Sequence, residues 1–311
     1  LLEWRIYMVI NKIDGISFRL KKLRDFSWLN RYGTAFCVID ETGSGCLCIG
    51  MQKGNSKYFC KIAGADTIEA EMSPRESVEV LKNSVHLYKD IQHPNLIKII
   101  EDYEYDELYI VVYEWAEGEC LFDHWNFEKY RKNPSLKSPA ERFKKLPIKA
   151  KLDSAEVLFS FLEAVSNAGY VAVDFYDGSI MYDFCTGVTT ICDIDFFKKK
   201  PIVNDMGQDW WGTKRFKAPE EYILGAKIDE DTNVFTLGAL IFDFFGEFTD
   251  EEYAKRYDEN QFTPCSPDKW KLNSDTYSVA LKATHLDREK RYQTISEFHS
   301  AWRAAWDKIF I

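Results

Sequence analysis

No hydrophobic stretch of the 311-residue chain is long enough to cross a bilayer: the longest apolar run, 234–245, is interrupted by Asp243 and falls short of the roughly 20 residues a spanning helix needs. A membrane-spanning protein is not expected. Zinc-binding or redox cysteine spacing is missing too. The eight cysteines are scattered, and the closest pair, Cys46 and Cys48, has the alternate-residue spacing of a strand rather than Cys-x-x-Cys. They are expected as buried thiols in a reducing cytoplasm, without a disulfide framework. Excess positive charge is absent, with 40 Lys and Arg facing 50 Asp and Glu for a net charge of −10, which argues against binding nucleic acid through its phosphates. No small-residue cleavage site follows the apolar opening, 1–10, so a secretory signal is not expected and Met8 is a candidate start. Internal repeats and low-complexity tracts are lacking. What the chain does have is 46% apolar residues, ample for the core of one large two-part unit or two small domains.

Short aromatic or β-branched runs at 35–40, 46–50 and 57–62, separated by Gly-rich turn signals at 42–45 and 53–56, predict an antiparallel meander. Ser73-Pro-Arg-Glu76 then reads as a capping box with proline at the first helical position. Val78, Leu81, Val85 and Tyr88 follow at helical spacing, so an amphipathic helix should end before Pro94. Two further strands are expected at 96–103 and 107–114. Segment 127–151 holds nine Lys and Arg against two acids, with three prolines, and is expected as a basic, loop-rich insertion: a solvated surface, or a dock for an acidic partner. Helical periodicity returns at 153–168, 233–245, 275–284 and 295–306.

Phosphoryl transfer asks a protein for a cation on the phosphates, carboxylates for Mg2+ and a group that positions the nucleophile. The chain carries His93-Pro-Asn-Leu-Ile-Lys98, then Tyr109-Ile-Val-Val-Tyr-Glu-Trp-Ala-Glu-Gly118, then Asp174-Phe-Tyr-Asp-Gly-Ser179, Cys192-Asp-Ile-Asp-Phe196 and Gly212-Thr-Lys-Arg-Phe-Lys-Ala-Pro-Glu220, and ends with Leu286-Asp-Arg-Glu-Lys-Arg291. Taken in order over roughly residues 30–302, these motifs resemble the eukaryotic-type serine/threonine protein kinases. The resemblance implies an α+β, bilobal, protein-kinase-like fold: an extension at 1–29, a small antiparallel β lobe with one key helix at 30–113, a hinge at 114–118 and a mainly helical lobe at 119–311.

The resemblance also implies ATP and Mg2+ as cofactors and assigns roles. Lys61, in a stretch similar to Val-Ala-Ile-Lys, would hold the α- and β-phosphates, and backbone groups of Glu114, Trp115 and Ala116 would meet adenine. Gly43-Ser44-Gly45 is either a reduced phosphate loop or a plain hairpin turn, because no Gly-x-Gly-x-x-Gly exists. Asp174 takes the place of the base that orients the acceptor hydroxyl. Asp193 best fits the magnesium ligand; a shifted register would give that role to Asp195. Ser179 stands where the family has a metal-binding Asn, and Asp177 adds a nearby carboxylate. Ser84 stands where the family has the glutamate that pairs the lysine, leaving Glu76 or Glu79 as substitutes. Ala172, Val173 and Tyr176 replace the family's His, Arg and Lys, and Asn233 its loop-bracing Asp. A buried ion pair between Glu220 and Arg291 is implied, with a structural role.

Between Asp195 and Pro219 the only hydroxyl side chain is Thr213, so switching by phosphorylation of this segment is not expected. Lys198 to Lys200 with Lys214, Arg215 and Lys217 would favour acidic substrates or form a solvated face. The leading function is a cytoplasmic protein kinase acting on a protein substrate. Its rival is a pseudokinase that serves as a nucleotide-binding or partner-binding regulatory scaffold. The Ala218-Pro-Glu220 segment argues against a small-molecule kinase.

Overall fold

The computed structural model describes residues 8–123, 127–133 and 135–306. The first residues of the apolar opening, 1–7, and positions 124–126 and 134 around and within the basic segment lie outside the described residues. The chain divides into two compact units: one runs to Asp90 and resumes at Ile97–Glu117, the other takes in Ile91–Leu96 and continues from Gly118.

The first unit is built on antiparallel strands. β1 (Val9–Ile13) and β2 (Ile16–Leu20) form a hairpin whose turn, Asp14-Gly15, has positive φ at both residues (47° and 85°), as a two-residue type I′ connection demands. β3 (Thr34–Ile39), β4 (Leu47–Lys53), β5 (Ser56–Ala63), β6 (Ile99–Tyr105) and β7 (Leu108–Glu114) make one sheet in the order β3-β4-β5-β7-β6. Strand alternation gives this sheet two faces. On one, Leu47, Ile49, Met51, Cys60, Ile62, Ile110 and Val112 pack with Ile13, Phe18 and Leu20 of the hairpin and with Phe26, Leu29 and Tyr32 around the 3-10 turn Ser27–Tyr32. The stretch expected as an extension is therefore the lid of a core. On the other face lies α1 (Pro74–Asp90), whose Tyr88 ring meets Tyr113 edge-on at 5.3 Å. The capping box forms as the sequence predicts: Glu76 N–H donates to Ser73 Oγ (3.3 Å) and Ser73 N–H to Glu76 Oε2 (2.8 Å).

The second unit is mainly helical. β8 (Glu119–Cys120) leads into α2 (Phe127–Lys132), α3 (Pro139–Lys144) and α4 (Ile148–Asn167). The basic segment is thus helical rather than loop-rich. Two of its prolines start helices instead of breaking them: Pro139 opens α3 behind a Ser138–Glu141 capping box, and Pro147 precedes α4. Part of its charge is used inside the fold. Lys151 is buried, donates to the Phe244 carbonyl (3.1 Å) and has its pKa pushed down to about 8 by desolvation, while Lys144 reaches Asp243 (3.3 Å) and Tyr253 (2.6 Å).

Small pairings follow. β9 (Tyr170–Val171) pairs with β12 (Lys198–Lys199), β10 (Ile180–Tyr182) with both β8 and β11 (Thr189–Ile191), and β13 (Ile202–Val203) with β14 (Lys227–Ile228). α5 (Glu230–Phe245) is buried from Asp231 onward, which explains why its sequence is a near-continuous apolar run. α6 (Asp250–Glu259), α7 (Ser274–Ala283) and α8 (Ile295–Trp306) complete the unit, with Trp302 of α8 against Phe245 at 5.7 Å and Phe159 at 6.1 Å. Among the described residues no helix is long and apolar enough to cross a membrane. All eight cysteines are free thiols; four are buried, three half-buried, and Cys185 is exposed.

Candidate functional site

Within the first unit, Lys61 lies on β5 between Cys48 and Val111 and is only 9% exposed. Its neighbours in register, Cys60 and Ile62, belong to the core under the hairpin, so Lys61 projects on the α1 face. Ser84 is buried on α1, its hydroxyl spent on the Leu81 carbonyl (2.8 Å). The two substitute glutamates are engaged elsewhere: Glu76 closes the capping box, and Glu79 bonds Arg75 one turn earlier (3.1 Å), both on the exposed side of the helix. Neither is offered to a buried lysine.

Gly43-Ser44-Gly45 lies in the β3–β4 connection as a turn closed by Gly45 N–H to the Thr42 carbonyl (3.1 Å). The Gly43 carbonyl accepts the Glu71 N–H (3.0 Å), and the Glu71 carboxylate stands 3.5–3.7 Å from where a Gly43 Cβ would be. A carboxylate there opposes a phosphate by like charge. At the end of β7, Glu114 N–H is taken by the Lys98 carbonyl (2.9 Å) and Trp115 N–H by the Lys57 carbonyl (3.3 Å). The Trp115 ring packs on Phe36 (4.8 Å) and Phe59 (6.4 Å), and Phe59 shares the Lys61 face. Phe59, at the alanine of the Val-Ala-Ile-Lys pattern, was missed as a site residue; its place two before Lys61 was the signal.

Within the second unit, Asp174 and Asp193 are brought together. Both adopt left-handed backbone (φ 56° and 52°), strained for a side-chain-bearing residue and concentrated at functional sites. Asp174 is half-buried; desolvation, then the Asp193 charge, push its carboxyl up to about 7. Thr213 answers with its backbone N–H and with its hydroxyl at 3.5 Å from Oδ1. Asp193 is exposed just past β11, and the residue before it, Cys192, donates its N–H to the Ser179 carbonyl (2.9 Å). The Ser179 hydroxyl is buried and has no hydrogen-bond partner among the described residues. Asp195, two residues on, is buried. Among the described residues no three His, Cys, Asp or Glu side chains converge as a metal-binding group.

Asp177 does not supply the spare carboxylate. It is buried and gripped by Arg215 through two bonds of 2.8 and 2.6 Å. Arg215 and Lys217 are likewise buried, at 8% and 4% exposure, so they form no basic face for acidic substrates. Lys217 donates to the Trp210 carbonyl (2.6 Å) and faces Asp174 and the buried Glu221, whose carboxyl burial pushes up to about 8. Tyr176 fills the place of the family's lysine; its ring would lie 2.4 Å from a Gly178 Cβ, so glycine is required there.

Asn233 on α5 accepts the Ala172 N–H and donates to the Ala172 carbonyl, each at 2.8 Å, a two-point brace. Val173, at the place of the family's arginine, packs in an apolar cluster with Val171, Trp210 and Ile228, joined by Phe196, Ile202 and Trp211. Arg291 and Glu220 form the implied pair, bidentate at 2.7 and 2.9 Å and buried, with Thr232 also donating to Glu220 (2.9 Å).

No family model matches the chain. It is 22% identical over 237 residues to calcium-dependent protein kinase 5 of Plasmodium berghei (strain Anka), and equally to calcium-dependent protein kinase 5 of Plasmodium falciparum (isolate 3D7). Each match covers 73% of this chain and 38% of the relative, so the chain spans well under half the length of the curated relatives it matches. This distant similarity to protein kinases, with an antiparallel sheet ahead of a helical region, supports a kinase-like function.

Proposed function

We propose that the chain has a protein-kinase-like fold and transfers the γ-phosphoryl group of ATP, with Mg2+, to a Ser or Thr hydroxyl of a protein, in the reducing interior that eight free thiols suit. The observation that carries this reading is Asp174: a strained, half-buried carboxyl near neutrality, served by Thr213 and set on a loop braced by Asn233. Asp174 orients the acceptor hydroxyl and takes its proton as the oxygen attacks in line. Lys61 neutralises phosphate charge from β5. Asp193 would hold Mg2+, and the orphaned Ser179 hydroxyl is a neutral oxygen of the kind a hard cation takes; a cation would relieve the Asp174–Asp193 repulsion. When bound, the nucleotide–magnesium complex supplies the activated phosphoryl group.

The test is phosphate transfer to a generic Ser/Thr protein, with binding followed by thermal shift. Asp174→Asn should lower the rate about 100-fold or more while ATP still raises the unfolding midpoint. Asp193→Ala should remove the Mg2+ dependence of that shift. Absence of any nucleotide shift, with or without Mg2+, overturns the reading.

A second reading, a pseudokinase acting as a regulatory scaffold, is favoured by one group of observations in the first unit: Ser84 in the glutamate's place, Glu71 beside the glycine turn, and Phe59 with Trp115 crowding the stretch that would meet adenine. A native chain that binds nucleotide and transfers nothing supports it.

A further inference from the structure

Four large apolar side chains of the second unit stand uncovered on one small piece of structure: Val203 is 53% exposed, Met206 39%, Ile223 57% and Leu224 69%. Single exposed apolar residues need no explanation, but these belong together. Val203 ends β13 opposite Lys227 of β14, and a Gly207 Cβ would lie 3.7 Å from Leu224 Cβ. The arrangement is fixed from within by Asn204, which is fully buried. Its Oδ1 accepts the N–H groups of Met206 (2.9 Å) and Gly207 (2.7 Å), and its Nδ2 donates to the Gly207 carbonyl (2.9 Å). Its backbone N–H bonds the Ala226 carbonyl (2.8 Å), and its carbonyl accepts the Gly225 N–H (2.7 Å). An apolar surface held this way loses little entropy on binding.

The rim has a sign. Asp205 and Asp209 are exposed; neither forms a close ion pair among the described residues, and Asp209 shares the buried Lys217 charge with Glu221 and Asp174. Two cations here are neutralised, Lys227 by Asp229 and Lys200 by Asp229 (3.7 Å) and Glu230 (3.4 Å), and Lys217 is buried and faces Glu221. We propose that this surface docks a protein segment carrying apolar anchors flanked by Lys or Arg. The apolar centre supplies affinity and the two carboxylates select the flanking charge. The surface residues flank Thr213 in the chain, Val203 and Met206 before it and Ile223 and Leu224 after, so a segment held here sits on the stretch that carries the residue serving Asp174.

The probe is a short fluorescein-labelled peptide with paired Leu and paired Arg, followed by anisotropy on the full chain. Two controls replace its Arg by Glu or its Leu by Ser. The Leu/Arg peptide should bind, and both controls should bind about tenfold more weakly. Ile223→Ser with Leu224→Ser should weaken binding about tenfold, and Asp205→Lys with Asp209→Lys should weaken it and abolish its dependence on salt. All four positions are exposed, and circular dichroism verifies that the variants fold. Binding unchanged in both double variants, or no binding of the Leu/Arg peptide, overturns the proposal. So does self-association of the native chain, by light scattering, that Leu224→Ser abolishes, since the surface would then cover a second copy. Binding is read here without phosphate transfer, so failure of one reading leaves the other standing.

Discussion

In the sheet unit the side chains expected to serve the phosphate lysine have other tasks: Ser84 bonds its own helix, Glu76 and Glu79 serve α1, and the glycine turn lies beside Glu71. In the helical unit several departures come with a new contact. Asn233 pairs both groups of Ala172, Val173 joins Trp210 in an apolar cluster, and Asp177 is gripped by Arg215. Contacts that hold a loop in place can be rebuilt from other residue types, because a hydrogen bond or an apolar contact has many chemical sources. A charge positioned for phosphate has few.

The comparison breaks if the helical unit's braces carry no energy. Arg291→Ala leaves Glu220 buried without its counter-charge and should cost about 3–5 kcal/mol in urea unfolding. A cost near zero would reduce the pair to ornament. For the sheet unit, Phe18→Ala removes a buried ring from under the sheet and should cost about 3 kcal/mol, reported by amide exchange in β4 and β5. Asn233→Asp sharpens the contrast further: the carboxylate still accepts the Ala172 N–H but faces its carbonyl, so it should cost about 1–3 kcal/mol, although the family carries Asp there.

The smallest effect depends on pH. A carboxyl whose folded pKa is about 7 and whose ordinary value is 3.8 contributes stability that is full below about pH 4 and lost as pH rises through 7. Asp174→Asn removes that dependence, so the variant should be more stable than the native chain at pH 8, by of order 1 kcal/mol given partial exposure, and nearly equal at pH 4. Unfolding midpoints at the two pH values decide it.

Local signals carried most of the fold. Strand alternation, the Ser73 box and the periodicity of 295–306 are written within a few residues, and β3 to β7, α1 and α8 follow them. The hairpin at Val9–Leu20 was equally local, since Asp14-Gly15 is a hairpin turn between two apolar alternations, but its use as a cover for the sheet depends on partners far along the chain. The site divided the same way. That Asp174 and Asp193 lie close enough for one charge to act on the other followed from motif order. That Arg215 and Lys217 turn inward did not, because a run of cations reads as a solvated face until Asp177, 38 residues earlier in number, is seen to hold one of them. The basic segment misled for a related reason: proline at a helix start and proline in a loop look alike when the capping serine is not counted.

The hairpin's position has a practical consequence for handling the protein. A shortened chain beginning at Thr34 would uncover Leu47, Ile49, Met51, Cys60 and Ile62 together, a continuous oily strip on an ordered sheet. Such a fragment should precipitate on purification and stay dispersed only in detergent.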